Sequence, residues 1–139
     1  MPANTNPIFT LVPNTPTATI AAANTARDGS GSLVDLFTAG TNGSRLDFIT
    51  FTSAQATPAA SAARVQRVFL TDASGLNPRL ISEVVLSAVT ASNTAIGATS
   101  TITFTNGLIL KSGQLIKVSQ SVYGSAADQT QVVARGGDY

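Results

Sequence analysis

Thr99-Ser100-Thr101-Ile102-Thr103-Phe104-Thr105 is the stretch whose reading decides the fold class. In an extended chain Ile102 and Phe104 fall on one side and Thr101, Thr103 and Thr105 on the other. That two-residue period belongs to a sheet with one face in a core and one in water. Outward from it, short runs of β-branched and aromatic residues recur, separated by Gly, Asn, Asp and Ser at intervals of roughly 8 to 15 residues. They place strands at 17–23, 32–38, 45–53, 63–71, 79–87, 99–105, 115–122 and 129–135. About eight strands predict an all-β, single-domain antiparallel β-sandwich or jelly roll, which closes most sheet edges without helices. Asp28-Gly-Ser-Gly31, Thr41-Asn-Gly43 and Asn106-Gly107 supply residues tolerant of positive φ, as tight hairpin turns require. The Ala-rich segment 55–63 reads as a loop.

Two strands break the alternation. In Arg45–Ser53, Leu46 and Phe48 point one way while Ile49 and Phe51 point the other; in Arg79–Ser87, Leu80, Val84 and Leu86 oppose Ile81 and Val85. Two explanations stand side by side. Either bulges switch the faces, or a loop or terminal segment covers the second face, or Ile49, Phe51, Ile81 and Val85 pack on another subunit, because a small sheet has one core to fill.

Four of the six prolines, Pro2, Pro7, Pro13 and Pro16, lie in the first 16 residues. Fixed φ and missing amide donors there oppose both helix and central strand. Residues 1–16 therefore read as an extended arm preceding a sandwich domain over 17–139. Ile8, Phe9, Leu11 and Val12 form an apolar cluster between Pro7 and Pro13, suited to anchoring the arm on a neighbour. The alternative is a first strand on the domain's own sheet edge.

The 139 residues include 11 Leu, 8 Ile, 11 Val and 6 Phe, enough apolar mass for one core. Charged residues make up 11%, against about 25% in an ordinary soluble domain. There is no Cys and no His, so a disulfide scaffold, a Cys or His zinc site, a thiol nucleophile and an imidazole base are excluded by inventory. A net charge of +1 offers no field to steer nucleic acid or an anionic membrane. No apolar run reaches the roughly 18 residues of a spanning helix, and the start lacks a secretion signal.

The acidic residues Asp28, Asp35, Asp47, Asp72, Glu83, Asp128 and Asp138 are scattered, and paired catalytic carboxylates could arise only by folding. Asp28-Gly-Ser-Gly31 lacks the alternating ligands and terminal Glu of a calcium loop and the Gly-Lys-Ser/Thr of a phosphate loop. Arg64 and Arg67, three apart on one strand, point to opposite faces and form no basic stripe; an interface or solvated role is expected for the arginines. The residues thus predict no enzyme, no catalytic or metal site, no cofactor and no small-molecule substrate.

Taken together, the Asn6-Pro-Ile-Phe-Thr-Leu-Val-Pro-Asn14 arm, Ala22–Gly31, Phe37–Ile49 and the Gly136-Gly-Asp-Tyr139 end resemble small virion proteins of tailed bacteriophages. The resemblance implies a capsid decoration, or cement, protein with a jelly-roll-like fold. Such a protein is often a homotrimer, made in the host cytoplasm and seated on the major capsid protein at the virion surface. A tail or head-fibre component and a carbohydrate-binding module are the rival readings. The latter calls for exposed aromatics gathered at one end of the sandwich, with Tyr123 and Tyr139 as candidates.

Overall fold

The alternating segment is the first half of a long strand, with Ile102 buried and Phe104 packed against the core. The computed structural model describes residues 9–55 and 58–139. Among these the strands are β1 (Val12–Asn14), β2 (Thr17–Ile20), β3 (Val34–Thr38), β4 (Ser44–Ser53), β5 (Ala60–Ser61), β6 (Arg64–Leu70), β7 (Arg79–Leu86), β8 (Val89–Thr90), β9 (Thr99–Leu110), β10 (Leu115–Gln120) and β11 (Thr130–Asp138). A 3-10 turn at Ala126–Asp128, capped by Ser125, precedes β11.

β1 and β2 lie along one edge of β11 in a single register, from Val12 opposite Asp138 to Ile20 opposite Thr130. Counted as one strand, they complete a sheet with β11, β4 and β9, while β3, β10, β6 and β7 form the other. The ladders nest: β1–β2 with β11, β3 with β10, β4 with β9, β6 with β7, all antiparallel. First pairs with eighth, second with seventh, third with sixth and fourth with fifth, which is the jelly-roll arrangement of eight strands in two sheets. β5 and β8 form a two-stranded flap. Phe37, Leu46, Ile49, Phe51, Val68, Ile116, Val118 and Val132 fill the space between the sheets.

The eight expected strands are all present, and the departures have physical causes. Asn106-Gly107 is not a hairpin turn. Both residues have positive φ, but they sit inside β9, where four residues separate Thr103 from Leu108 while only Asp47 separates their β4 partners Phe48 and Leu46. A bulge needs the same backbone freedom as a turn. Gly107 also leaves room for the Arg45 side chain, which a β-carbon would strike. The turns at Asp28–Gly31 and Asn42-Gly43 carry the chain between sheets rather than close hairpins. The ladder that does join consecutive strands is β6–β7.

The bulges also explain the two-faced strands. Register shifts on both sides of β4, against β9 and against β11, let Leu46 point inward before the shift and Ile49 and Phe51 after it. The shift on β11 falls between Arg135 and Gly136, and a β-carbon at Gly136 would run into the carbonyl oxygen of Arg45. Gly136→Ala should therefore lower stability by about 1–3 kcal/mol, the usual cost of forcing extra volume into a packed site. A urea titration reads it as a lower midpoint at unchanged slope.

Candidate functional site

With no Cys or His in the chain, the surfaces and the buried polar groups are where function can reside. The N-terminal strand comes first. Phe9, Leu11 and Val12 are 74%, 79% and 59% exposed. Ile8, their expected companion, lies outside the described residues. From Leu11 onward the segment is fastened to β11 rather than running free: the Leu11 amide donates to the Asp138 carbonyl at 2.7 Å, and the Ala134 amide to the Pro16 carbonyl at 3.0 Å. Pro13 is tolerated because this is a sheet edge. Asn14 Nδ2 donates to both Asp138 carboxylate oxygens, at 3.1 and 3.3 Å, and Ser44 Oγ donates to the same carboxylate at 2.5 Å. The edge-strand alternative thus describes residues 11–16.

The four sheet residues expected at an interface separate into two pairs. Ile49 and Phe51 are fully buried in the subunit's own core and cannot meet a second subunit. The expectation fails because the β4 bulges turn both side chains inward. Ile81 and Val85, on edge strand β7, are 38% and 57% exposed. Part of the outer face of this sheet is covered from within. The segment 21–33 crosses it, held by the Asn24 amide on the Gln120 carbonyl and by Arg67, which donates to Glu83 at 2.9 Å and to the Asn24 carbonyl at 2.9 Å. Arg27 reaches the other oxygen of Glu83 at 2.8 Å.

Sequence reading missed the polar cluster inside the sandwich. Arg64 is 2% exposed and lies inward, on the same side of β6 as Gln66 and Val68. It donates to Thr130 Oγ1, the Ala62 carbonyl, Ser53 Oγ and the Gln129 carbonyl at 3.1, 2.9, 3.2 and 3.4 Å. Thr130 Oγ1 donates in turn to Gln120 Oε1 at 2.8 Å, and Gln120 Nε2 to the Asp128 carbonyl at 3.0 Å. The Asp128 carboxylate accepts the amides of Ala62 and Gly124 at 2.7 and 2.8 Å, tying together the connections that enter β6 and leave β10. Burial alone would raise the Asp128 carboxyl. The two amide donors and the Arg64 charge outweigh it and hold the group below its ordinary value. Burial pulls Arg64 downward, with Asp128 opposing. The Arg64-x-Gln66-x-Val68 alternation was the available signal, since it puts a guanidinium in phase with a core valine.

All seven acidic side chains are engaged within the subunit: Asp28 by Ser30, Asp35 by Lys117, Asp47 by Arg45, Glu83 by two arginines, and Asp72, Asp128 and Asp138 by neutral donors. Asp72 organises the β6–β7 loop. Ser74 Oγ, the Leu76 amide and Asn77 Nδ2 donate to it at 2.7, 2.9 and 2.7 Å and lower its pKa from 3.8 to about 2. Because the folded value lies below the unfolded one, this contribution is complete above pH 4 or so and is lost as pH falls toward about 2. Asp72→Asn should flatten that part of the acid limb, read as thermal midpoint against pH. An unchanged limb would show that the loop bonds do not form in solution.

Surface recesses of about 210 Å³ beside Ser53 and Gln55, 330 Å³ beside Asp72 and Arg79, and 410 Å³ along Thr17, Thr19 and Gln131 contain no aromatic side chain. Tyr123 and Tyr139 are half-buried and lie at opposite ends of the sandwich, near Asp128 and Gly43 respectively. They do not form the platform that a glycan-binding module calls for.

No protein-family model matches the sequence, and comparison with curated proteins finds no relative. Among solved structures, the chain is similar to proteins of infectious bursal disease virus, Gx and Gt strains, with 14% and 16% identity and a TM-score of 0.29 in both cases. Each match covers 98% of this chain and 35% of the other, so the chain spans about a third of the length of those proteins. A superposition of that quality does not define a common fold.

Proposed function

We propose that this chain is a virion structural protein that works by assembly, not turnover. In its specific form, it is a decoration protein of a tailed-bacteriophage head that binds the major capsid protein as a homotrimer and stabilises the shell. The observation that carries the reading is the cluster Phe9, Leu11 and Val12, three large apolar side chains within four residues held out to solvent where the chain joins the β11 edge of a nearly uncharged jelly roll. Large apolar side chains gathered in one exposed segment gain by being covered. The engagement of every carboxylate within the subunit supports the same reading, since none is left poised for acid–base work.

The test is the mass of the purified chain in solution at micromolar concentration, with and without residues 1–16. The full chain is expected at three subunits, and the truncated chain at a lower mass. Loss of β1, which buries no side chain, should move the thermal midpoint of the isolated subunit by a few degrees at most. A strict monomer, both in solution and on the particle, contradicts the reading.

A further inference from the structure

We propose that residues 9–14 are an exchangeable strand: in the assembled protein, β1 of one copy completes the β11 edge of a neighbouring copy, using the contacts it makes within its own chain here. This rests on the assembly reading above and names the surface and occupant it requires, a second copy of this chain.

The edge strand is strongly graded along its length. In β2, Ile20 is fully buried and Ala18 packs on the core, so that half is committed to its own subunit. Across Thr15-Pro16 the burial stops, and none of residues 9–13 is buried. What holds β1 is a short ladder opposite Gly136, Gly137 and Asp138, the Asn14–Asp138 bonds and the packing of Thr10 over Gly137. Release therefore exposes almost no apolar surface.

The receiving edge is built independently of its occupant. β11 is held along its other side by β4 from Thr130 to Asp138, and Ser44 fixes the Asp138 carboxylate whether or not Asn14 is present. Gly137 leaves the shelf open, since a β-carbon there would lie 2.6 Å from Thr10 Cβ. Pro13 and Pro16 keep the released segment extended, which limits the entropy it would gain on detaching and lose on docking again. Because donor and receiver sit on the same chain, exchange replaces each intrachain contact with an identical one between chains, a low-cost route to oligomers.

The absence of cysteine makes the exchange readable. Val12→Cys with Asp138→Cys places two thiols on directly opposed positions of the ladder. After oxidation of the assembled protein, non-reducing denaturing electrophoresis should show most chains as covalent multimers. Thr17→Cys with Val133→Cys, on the committed half, should give intrachain links only. If loss of the Asp138 carboxylate impairs folding, Leu11→Cys with Tyr139→Cys, one step further along, keeps that residue. Intrachain links at β1 in an intact oligomer overturn the exchange and leave the assembly reading standing. A chain that is monomeric throughout overturns both.

Discussion

Phe51→Asp is expected to abolish folding of the subunit, whereas Val85→Asp leaves it folded. Phe51 is fully buried between the sheets on β4, beside Ile49 and opposite Val132 and Ser100 on the flanking strands. Truncating such a ring costs about 3–5 kcal/mol, and a carboxylate left without a partner in its place adds a further penalty of several kcal/mol. The sum rivals the roughly 5–15 kcal/mol that holds a whole domain together. Val85 lies on the outer face of β7 with its side chain in solvent; the Ser100 hydroxyl binds its backbone carbonyl, which the substitution keeps. Stability should change by no more than about 0.5 kcal/mol. Far-UV circular dichroism and amide dispersion separate the two variants, and a folded Phe51→Asp chain would show the core to be wrongly assigned. Light scattering on Val85→Asp adds a second reading: a lower mass with the fold intact would assign Val85 to an intersubunit contact.

Arg64→Ala should be the most destabilising substitution of a charged residue. It removes the donors from Ser53 Oγ, Thr130 Oγ1 and two carbonyls, takes the compensating charge away from Asp128, and leaves a void where a large buried side chain stood. Breaking one side of a buried charged network typically costs about 3–5 kcal/mol, which for a chain of this length lowers the thermal midpoint by roughly 10 °C or more. Arg64→Lys should fall between, because a single ammonium cannot reach acceptors spread around a planar fork. Calorimetry measures both, and a midpoint within a degree or two of the parent would mean that the cluster is satisfied by solvent.

How far the sequence foretells this molecule depends on whether a residue has one physical use or several. The alternation at Thr99–Thr105 fits a half-buried strand and little else, and the other seven runs are short, rich in β-branched and aromatic residues and bounded by turn residues, so the eight strands and the sandwich class are legible. Asn106-Gly107 has two uses: positive φ serves a hairpin turn and a bulge alike, and only the partner strand selects between them. The bulges on β4 are invisible for the same reason, which is why Ile49 and Phe51 look like the second face of a strand while both point into the core. Pro13 marks an arm or a sheet edge equally well, and the choice is made by residues such as Gly137, more than a hundred residues away, whose missing side chain leaves room on β11 for Thr10. Arg64 is hidden by its charge: a guanidinium predicts surface or interface unless its acceptors are known, and two of them come from residues 129 and 130.

The role proposed above makes the chain an assembling part of a virion. On that proposal, particles of the parent virus made without this chain should take up the purified protein when it is added back at increasing concentration. Sedimentation of bound protein should saturate at a fixed number of copies per particle, and the particles should become more resistant to heat. Particles that contain none of this protein when grown normally, and bind none when it is supplied, would contradict the claim.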